Sequence, residues 1–218
     1  MNTNKFVRGF GKASLLLVLF SLTGCGSYNR LVTLEQTVNK KWADVQSVYQ
    51  RRADLIPNLV STVAGAANFE KSTLTEVTNA RASVGQVKLD PTKAPTDAAQ
   101  LEKFQQAQGQ LSTALSRLLL VTENYPQLRA TEAFQNLQAQ LEGTENRISV
   151  ERNNFNAAVQ EYNTALSTFP TNMLNKMFGF QSRPYFTAQP EAEKAPQVKF
   201  DSFKAPAPPA PPPPAATP

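Results

Sequence analysis

The sequence of 218 residues contains no histidine and a single cysteine, Cys25. Without histidine the chain lacks the commonest general base and the commonest metal ligand, so His-dependent triads and Glu-x-x-His di-iron sites are excluded. With one cysteine no intrachain disulfide can form. Charge is also modest: 22 basic against 17 acidic residues give +5. Lys5, Arg8 and Lys12 lie in the first dozen residues, so removing those three leaves +2 for the remainder. A balance that small predicts no strong attraction to nucleic acid, and none is expected as a partner. Strand-like alternation is absent throughout. So are a glycine-rich phosphate loop and a serine nucleophile motif. The scattered carboxylates Asp44, Asp54 and Glu70 form no ligand cluster, so no metal and no cofactor is expected. Nothing supplies an activated group, and the chain reads as a non-enzyme.

What is present begins with a leader. Three basic residues precede an apolar run from Ala13 to Leu22. Ten residues span about 15 Å as a helix, half of the hydrocarbon thickness, which suits a signal peptide rather than a membrane span. The run ends in Leu22-Thr23-Gly24-Cys25, which resembles the bacterial lipobox: an apolar residue, two small ones that let the extended chain enter the peptidase, and the thiol that takes the lipid. The expected covalent lipid on Cys25 would hold the protein to a membrane, facing the periplasm of a bacterial envelope. Gly26 and Ser27 follow with no aspartate beside the cysteine, which favours the outer membrane over the inner.

The expected organisation is a signal peptide over 1–24, a lipidated linker over 25–28, a helical bundle over 29–181 and a disordered Ala/Pro-rich tail over 182–218. The first bundle helix is expected from about Asn29 to Ala67. Leu31, Leu34, Val38, Trp42, Val45, Tyr49, Arg52, Ile56, Leu59 and Val63 recur on it every three or four residues, the seam of a bundle helix. Pro57 removes a backbone donor and is expected to kink or interrupt it. A second helix spans about Phe69–Gly85. A third runs from its cap at Asp97 to about Asn124, where Tyr125-Pro126 stops it. A fourth of about 38 residues begins at Thr131 and carries a stripe through Phe134, Leu141, Ile148, Phe155, Tyr162 and Phe169. A short apolar turn closed by Gly179 follows. The fold class is therefore all-α: an up-and-down antiparallel bundle of about four long helices. Ten prolines between Pro190 and Pro218 make the tail a candidate polyproline II segment, either a solubilising spacer or a docking element for an envelope partner.

Arg52 places a charge on the first seam, and Glu151 places one near the middle of the fourth. Both stand about halfway along their helices, so a polar layer is expected that contains Arg52 and Glu151, with Asp54, Asn58, Arg147 and Asn154 as neighbours. Its expected role is register control, because a slipped packing would bury an unpaired charge. Trp42 is expected to be a core residue.

Several runs together resemble the LemA family of bacterial envelope proteins. They are Tyr28-Asn29-Arg30-Leu31-Val32, the stretch Arg51-Arg52-Ala53-Asp54-Leu55-Ile56-Pro57-Asn58-Leu59-Val60, and Val77-Thr78-Asn79-Ala80-Arg81-Ala82. Asn124-Tyr125-Pro126, Leu141-Glu142-Gly143-Thr144-Glu145-Asn146-Arg147-Ile148 and Arg152-Asn153-Asn154-Phe155-Asn156 belong with them. The resemblance covers roughly 28–187 and implies a helical bundle held at the membrane, without implying a reaction. The chain departs from the usual member twice: a short leader with a lipobox replaces an uncleaved membrane helix, and Phe69-Glu70 stands where His-Glu is usual. The expected function is a lipid-anchored scaffold or interaction protein. Two alternatives are an accessory regulator of an envelope-stress pathway or membrane protease, and a carrier of a small apolar ligand between helices.

Overall fold

A computed structural model describes residues 3–66, 69–169 and 171–187, with backbone alone for 3–25 and 174–177. Six helices occur among these residues, and no strand does. They are α1 (Thr3–Ala64), α2 (Lys71–Gln86), α3 (Ala98–Thr122), α4 (Pro126–Arg129), α5 (Glu132–Ser167) and α6 (Thr171–Phe178). The long helices α1 and α5 pack along each other and α2 packs on α3, while α6 touches both α1 and α5.

Helix ends follow local chemistry. Asp97 caps α3 by accepting from the Ala99 amide at 2.9 Å, and Thr131 caps α5 by accepting from the Phe134 amide at 3.4 Å. Pro126 opens α4 at a position where a missing N–H costs nothing. Gly179, at φ 74°, ends α6 in the left-handed region that a side chain would disfavour.

Nine apolar members of the first stripe, from Leu31 to Val63, are buried at 9% exposure or less, so the seam reading holds along α1. Each such side chain contributes about 1.5–3 kcal/mol of transfer free energy. The core forms two clusters. The first gathers Leu31, Trp42, Tyr49, Phe104, Phe155 and Tyr162 around Phe186; the second gathers Ile56, Leu59, Val77, Leu115, Phe134 and Leu141. Trp42 is fully buried against Phe104, Phe155 and Phe186. Its indole N–H is satisfied by the Asp90 carbonyl at 2.8 Å, and this bond pins the α2–α3 loop to α1.

Pro57 lies inside α1, which continues through it to Ala64. Pro57 has no N–H to give the Ala53 carbonyl one turn back, and Arg81 of α2 donates its Nε to that carbonyl at 3.0 Å. A neighbouring side chain thus replaces the missing intrahelical donor. Two sequence expectations need correction. First, residues 25–28 continue α1 instead of forming a separate link, since extending an existing helix adds a bond for each residue fixed. Second, the bundle does not stop at 181. Residues 180–187 run extended along it, and Arg183 and Phe186 are buried. The proline-rich stretch that was expected to be a tail lies, from 188 onward, outside the described residues, as do the side chains of Leu22, Thr23, Gly24 and Cys25.

Candidate functional site

Arg52 sits between the two apolar clusters, 2% exposed. Its position relative to α5 follows from aromatic packing lower in the bundle. Trp42 and Phe155 meet with ring centroids 5.6 Å apart, which sets the antiparallel register of α1 against α5. Ten residues on from Trp42 stands Arg52, and ten back from Phe155 stands Glu145. The two accordingly pair: Arg52 Nη1 donates to Glu145 at 2.7 Å and to Ser112 Oγ at 2.9 Å. From α3, Gln108 closes the other side, its side-chain oxygen accepting from Nη2 and its carbonyl lying at 3.4 Å. The guanidinium also lies 5.2 Å from the Tyr49 ring centroid. Of the three Arg52 guanidinium nitrogens, Nε is the one that has no hydrogen-bond partner among the described residues.

The other residues expected in this layer are placed elsewhere. Glu151 lies four residues from Phe155, so it falls at the level of the first cluster, where it accepts from Asn154 at 3.0 Å. Asp54 is exposed and accepts from Gln50 at 2.7 Å. Asn58, Arg147 and Asn154 are also exposed. On α1, residues 54 and 58 are turned from the nearest seam positions by about 100° or more, and Arg147 precedes the buried Ile148 on the solvent face of α5. Glu145, Gln108 and Ser112 went unnoticed in the sequence because each stands one residue after a buried position, at Thr144, Ala107 and Leu111. The usable signal was the Trp42–Phe155 pairing, which fixes the level of Arg52.

A second buried guanidinium, Arg183, joins three elements. Its Nη2 donates to Glu35 of α1 at 2.6 Å and its Nη1 to the Ala94 carbonyl of the α2–α3 loop at 2.7 Å. Asn39 of α1 holds the same loop residue, accepting from the Ala94 amide at 3.0 Å. The extended strap around Arg183 is held to α5 by two asparagines. Asn163 accepts from the Arg183 N–H and donates to the Arg183 carbonyl, both at 2.9 Å. Asn156, two turns earlier, makes the same pair with Phe186, again at 2.9 Å each. A carboxamide offers one donor and one acceptor in the spacing of a peptide group, so each asparagine stands in for a neighbouring strand. Arg152 finishes the strap, donating to the Thr187 carbonyl at 2.8 Å and lying over the Phe186 ring at 4.9 Å.

The chemistry available here is binding and fastening. A guanidinium offers donors and no acceptor, which suits both arginines to holding oxygen atoms in place. Burial pushes the Tyr49 hydroxyl above its ordinary value, with Arg152 and Arg52 opposing. Burial does the same to Tyr162, reinforced by the Glu35 carboxylate and opposed by Arg183. Among the described residues no three Cys, Asp or Glu side chains are placed to hold a metal ion, and no helix is long and apolar enough to cross a membrane. Two open clefts lie at the ends of the bundle. One of about 570 Å³ runs beside Thr62, Ala66, Tyr125 and Leu128, and one of about 500 Å³ runs beside Ser27, Arg30, Thr164 and Phe169.

The sequence matches the model of the LemA family over residues 41–200. Magnetosome protein MamQ of Magnetospirillum gryphiswaldense is 28% identical over 194 residues, covering 82% of this chain and 71% of that protein. Magnetosome protein MamQ 2 of Paramagnetospirillum magneticum is 26% identical over 198 residues with the same coverages, 82% and 71%. Protein LemA of Metamycoplasma hominis is 21% identical over 174 residues, 80% of this chain and 75% of that protein. The match takes in most of the bundle, with Arg52, Gln108, Glu145 and Arg183 all inside it, and the chain belongs to the LemA family.

Proposed function

We propose that this chain is an interaction bundle of the bacterial envelope, without catalytic activity of its own, held by a lipid on Cys25 and facing the periplasm. The observation that carries the reading is the continuity of α1. The helix that contains Cys25 is the same one that supplies the seam residues Leu31 to Val63, with no hinge segment between them. From Cys25 to Ala64 a helix rises about 58 Å, so an anchor at the cysteine would hold the bundle as a stalk fixed to its base. The buried cations support a structural use of charge: their Nη donors are spent on neighbouring helices and loops. The names of the relatives, MamQ and LemA, state no reaction. Gly26 and Ser27 after the cysteine favour the outer membrane.

The test is metabolic labelling with an alkyne fatty acid combined with photocrosslinking in intact cells. Wild type should take the label, Cys25→Ala should not, and the variant should lose its tight membrane association. A crosslinker at the exposed positions 120 or 150 should give a discrete adduct in the envelope. An unlabelled wild type would remove the lipid anchor, and absence of any adduct at exposed sites would remove the interaction role.

A further inference from the structure

The end of the bundle nearest Cys25 is unusually apolar on its outside. Tyr28 is 37% exposed, Phe169 72%, Met173 60% and Phe178 52%; these are four of the seven large apolar residues exposed among the described residues. They are gathered rather than scattered. Tyr28 meets Phe178 at 4.9 Å and Phe180 at 5.7 Å between ring centroids. Phe169 lines the cleft that Ser27 and Arg30 of α1 also line. Met173 belongs to α6, which lies against both α1 and α5. Leu120 and Val150, exposed at 64% and 55%, are single residues on other helices, and isolated exposures of that kind are ordinary.

We propose that this patch is a membrane-contact surface: Tyr28, Phe169, Met173 and Phe178 enter the lipid interface and seat the bundle on the bilayer. Its position supplies the argument for lipid over protein. Tyr28 follows Cys25 by three residues of the same helix, a rise of about 4.5 Å, so whatever holds the cysteine at a membrane brings the patch to the surface with it. Aromatic residues prefer the headgroup level, and a short helix with one apolar face lies comfortably along it. The proposal rests on the membrane attachment proposed above. The contact is apolar in character, so its strength should depend little on the fraction of anionic lipid.

The experiment uses the full lipidated chain reconstituted in phosphatidylethanolamine–phosphatidylglycerol vesicles. Flotation of wild type and Cys25→Ser reads the attachment itself. A nitroxide is then placed through Met173→Cys, with Phe178→Cys as a second site and Leu120→Cys as the reference. Once Cys25 carries its lipid the introduced thiol is the one free to react, and mass spectrometry confirms a single label. The expected result is a label at 173 or 178 several times more accessible to oxygen, relative to a water-soluble nickel complex, than the label at 120. Equal ratios at the three sites in chains that float would overturn the membrane contact while leaving the anchor intact. Shielding from both reagents at 173 and 178 would mean that protein covers the patch, a second copy or the chain's own tail, and would also overturn it. A wild-type chain that fails to float would remove the attachment and the seating together.

Discussion

Removing Arg52 tests how the two apolar clusters are joined. Truncation to alanine leaves a hole where a side chain only 2% exposed had been, comparable to truncating a buried Leu or Met at about 2–5 kcal/mol. It also strands Gln108, 5% exposed, whose side-chain oxygen loses its donor at about 1–3 kcal/mol. Glu145 matters least, since its side chain is 57% exposed and regains water, a loss of no more than about 1 kcal/mol. Packing therefore outweighs the ion pair. Because the contributions overlap at one site and do not simply add, Arg52→Ala should cost about 3–5 kcal/mol, or roughly 6–20 °C in Tm at the per-kcal shift usual for chains of this size. Arg52→Met keeps most of the volume and should cost about 1–3 kcal/mol, the stranded glutamine. Adding Gln108→Leu should then recover most of that loss, because an apolar layer of similar volume is generally no less stable than a buried polar one. Urea unfolding followed by far-UV circular dichroism and Trp42 fluorescence gives all three values. If Arg52→Met with Gln108→Leu is no more stable than Arg52→Met alone, the stranded glutamine is not the source of the cost and the reasoning fails.

Three further outcomes are expected. Arg81→Ala should cost about 1 kcal/mol in the natural chain and close to nothing beside Pro57→Ala, where an alanine N–H again reaches the Ala53 carbonyl; equal costs in both backgrounds would refute the substitution of one donor for the other. Asn163→Ala with Asn156→Ala should speed hydrogen exchange and proteolysis within 180–187 while α3 remains protected, and unchanged exchange there would remove the asparagine pairs as the fastening. Tyr49 and Tyr162 keep their protons to higher pH in the folded chain than in the unfolded one. The stability this supplies is whole below pH 10.0 and is lost as pH climbs through the folded values. Replacing both by phenylalanine should flatten the fall of Tm above that pH, and an unaltered slope would contradict the burial argument.

The fold was legible where periodicity and caps agree. The α1 stripe, the Asp97 and Thr131 caps and the stop near Tyr125 all rest on local chemistry that one segment contains by itself. Arg52 was legible for the same reason, as a charge interrupting an apolar seam. Its partners were not, because midpoint matching of two helices ignores side-chain interlocking. Trp42 against Phe155 moves the level of Arg52 six residues along, from Glu151 to Glu145. Pro57 was recognised as a lost donor, yet its compensation comes from Arg81, a residue 28 positions away on another helix. The strap was missed because composition shifts toward proline near its end, and because Asn156 and Asn163 on a helix look like ordinary solvent-facing residues. Only their pairing with the segment that follows the next helix, α6, gives them a role.

The strap also carries its own stop against sliding. The asparagine pairs take the N–H and carbonyl of residues 183 and 186 and skip the two positions between. Pro184 is one of those skipped. A shift by one residue that brought Pro184 to Asn163 would offer a ring nitrogen with no hydrogen, and the carboxamide oxygen would go unmet. A shift the other way would draw the Arg183 guanidinium off Glu35 and the Ala94 carbonyl, abandoning a buried charge. One imino acid and one cation thus act as opposed pawls on a segment whose main-chain contacts alone would accept many sequences. Tyr185, the other skipped position and 42% exposed, is left open to exchange without loosening the fit.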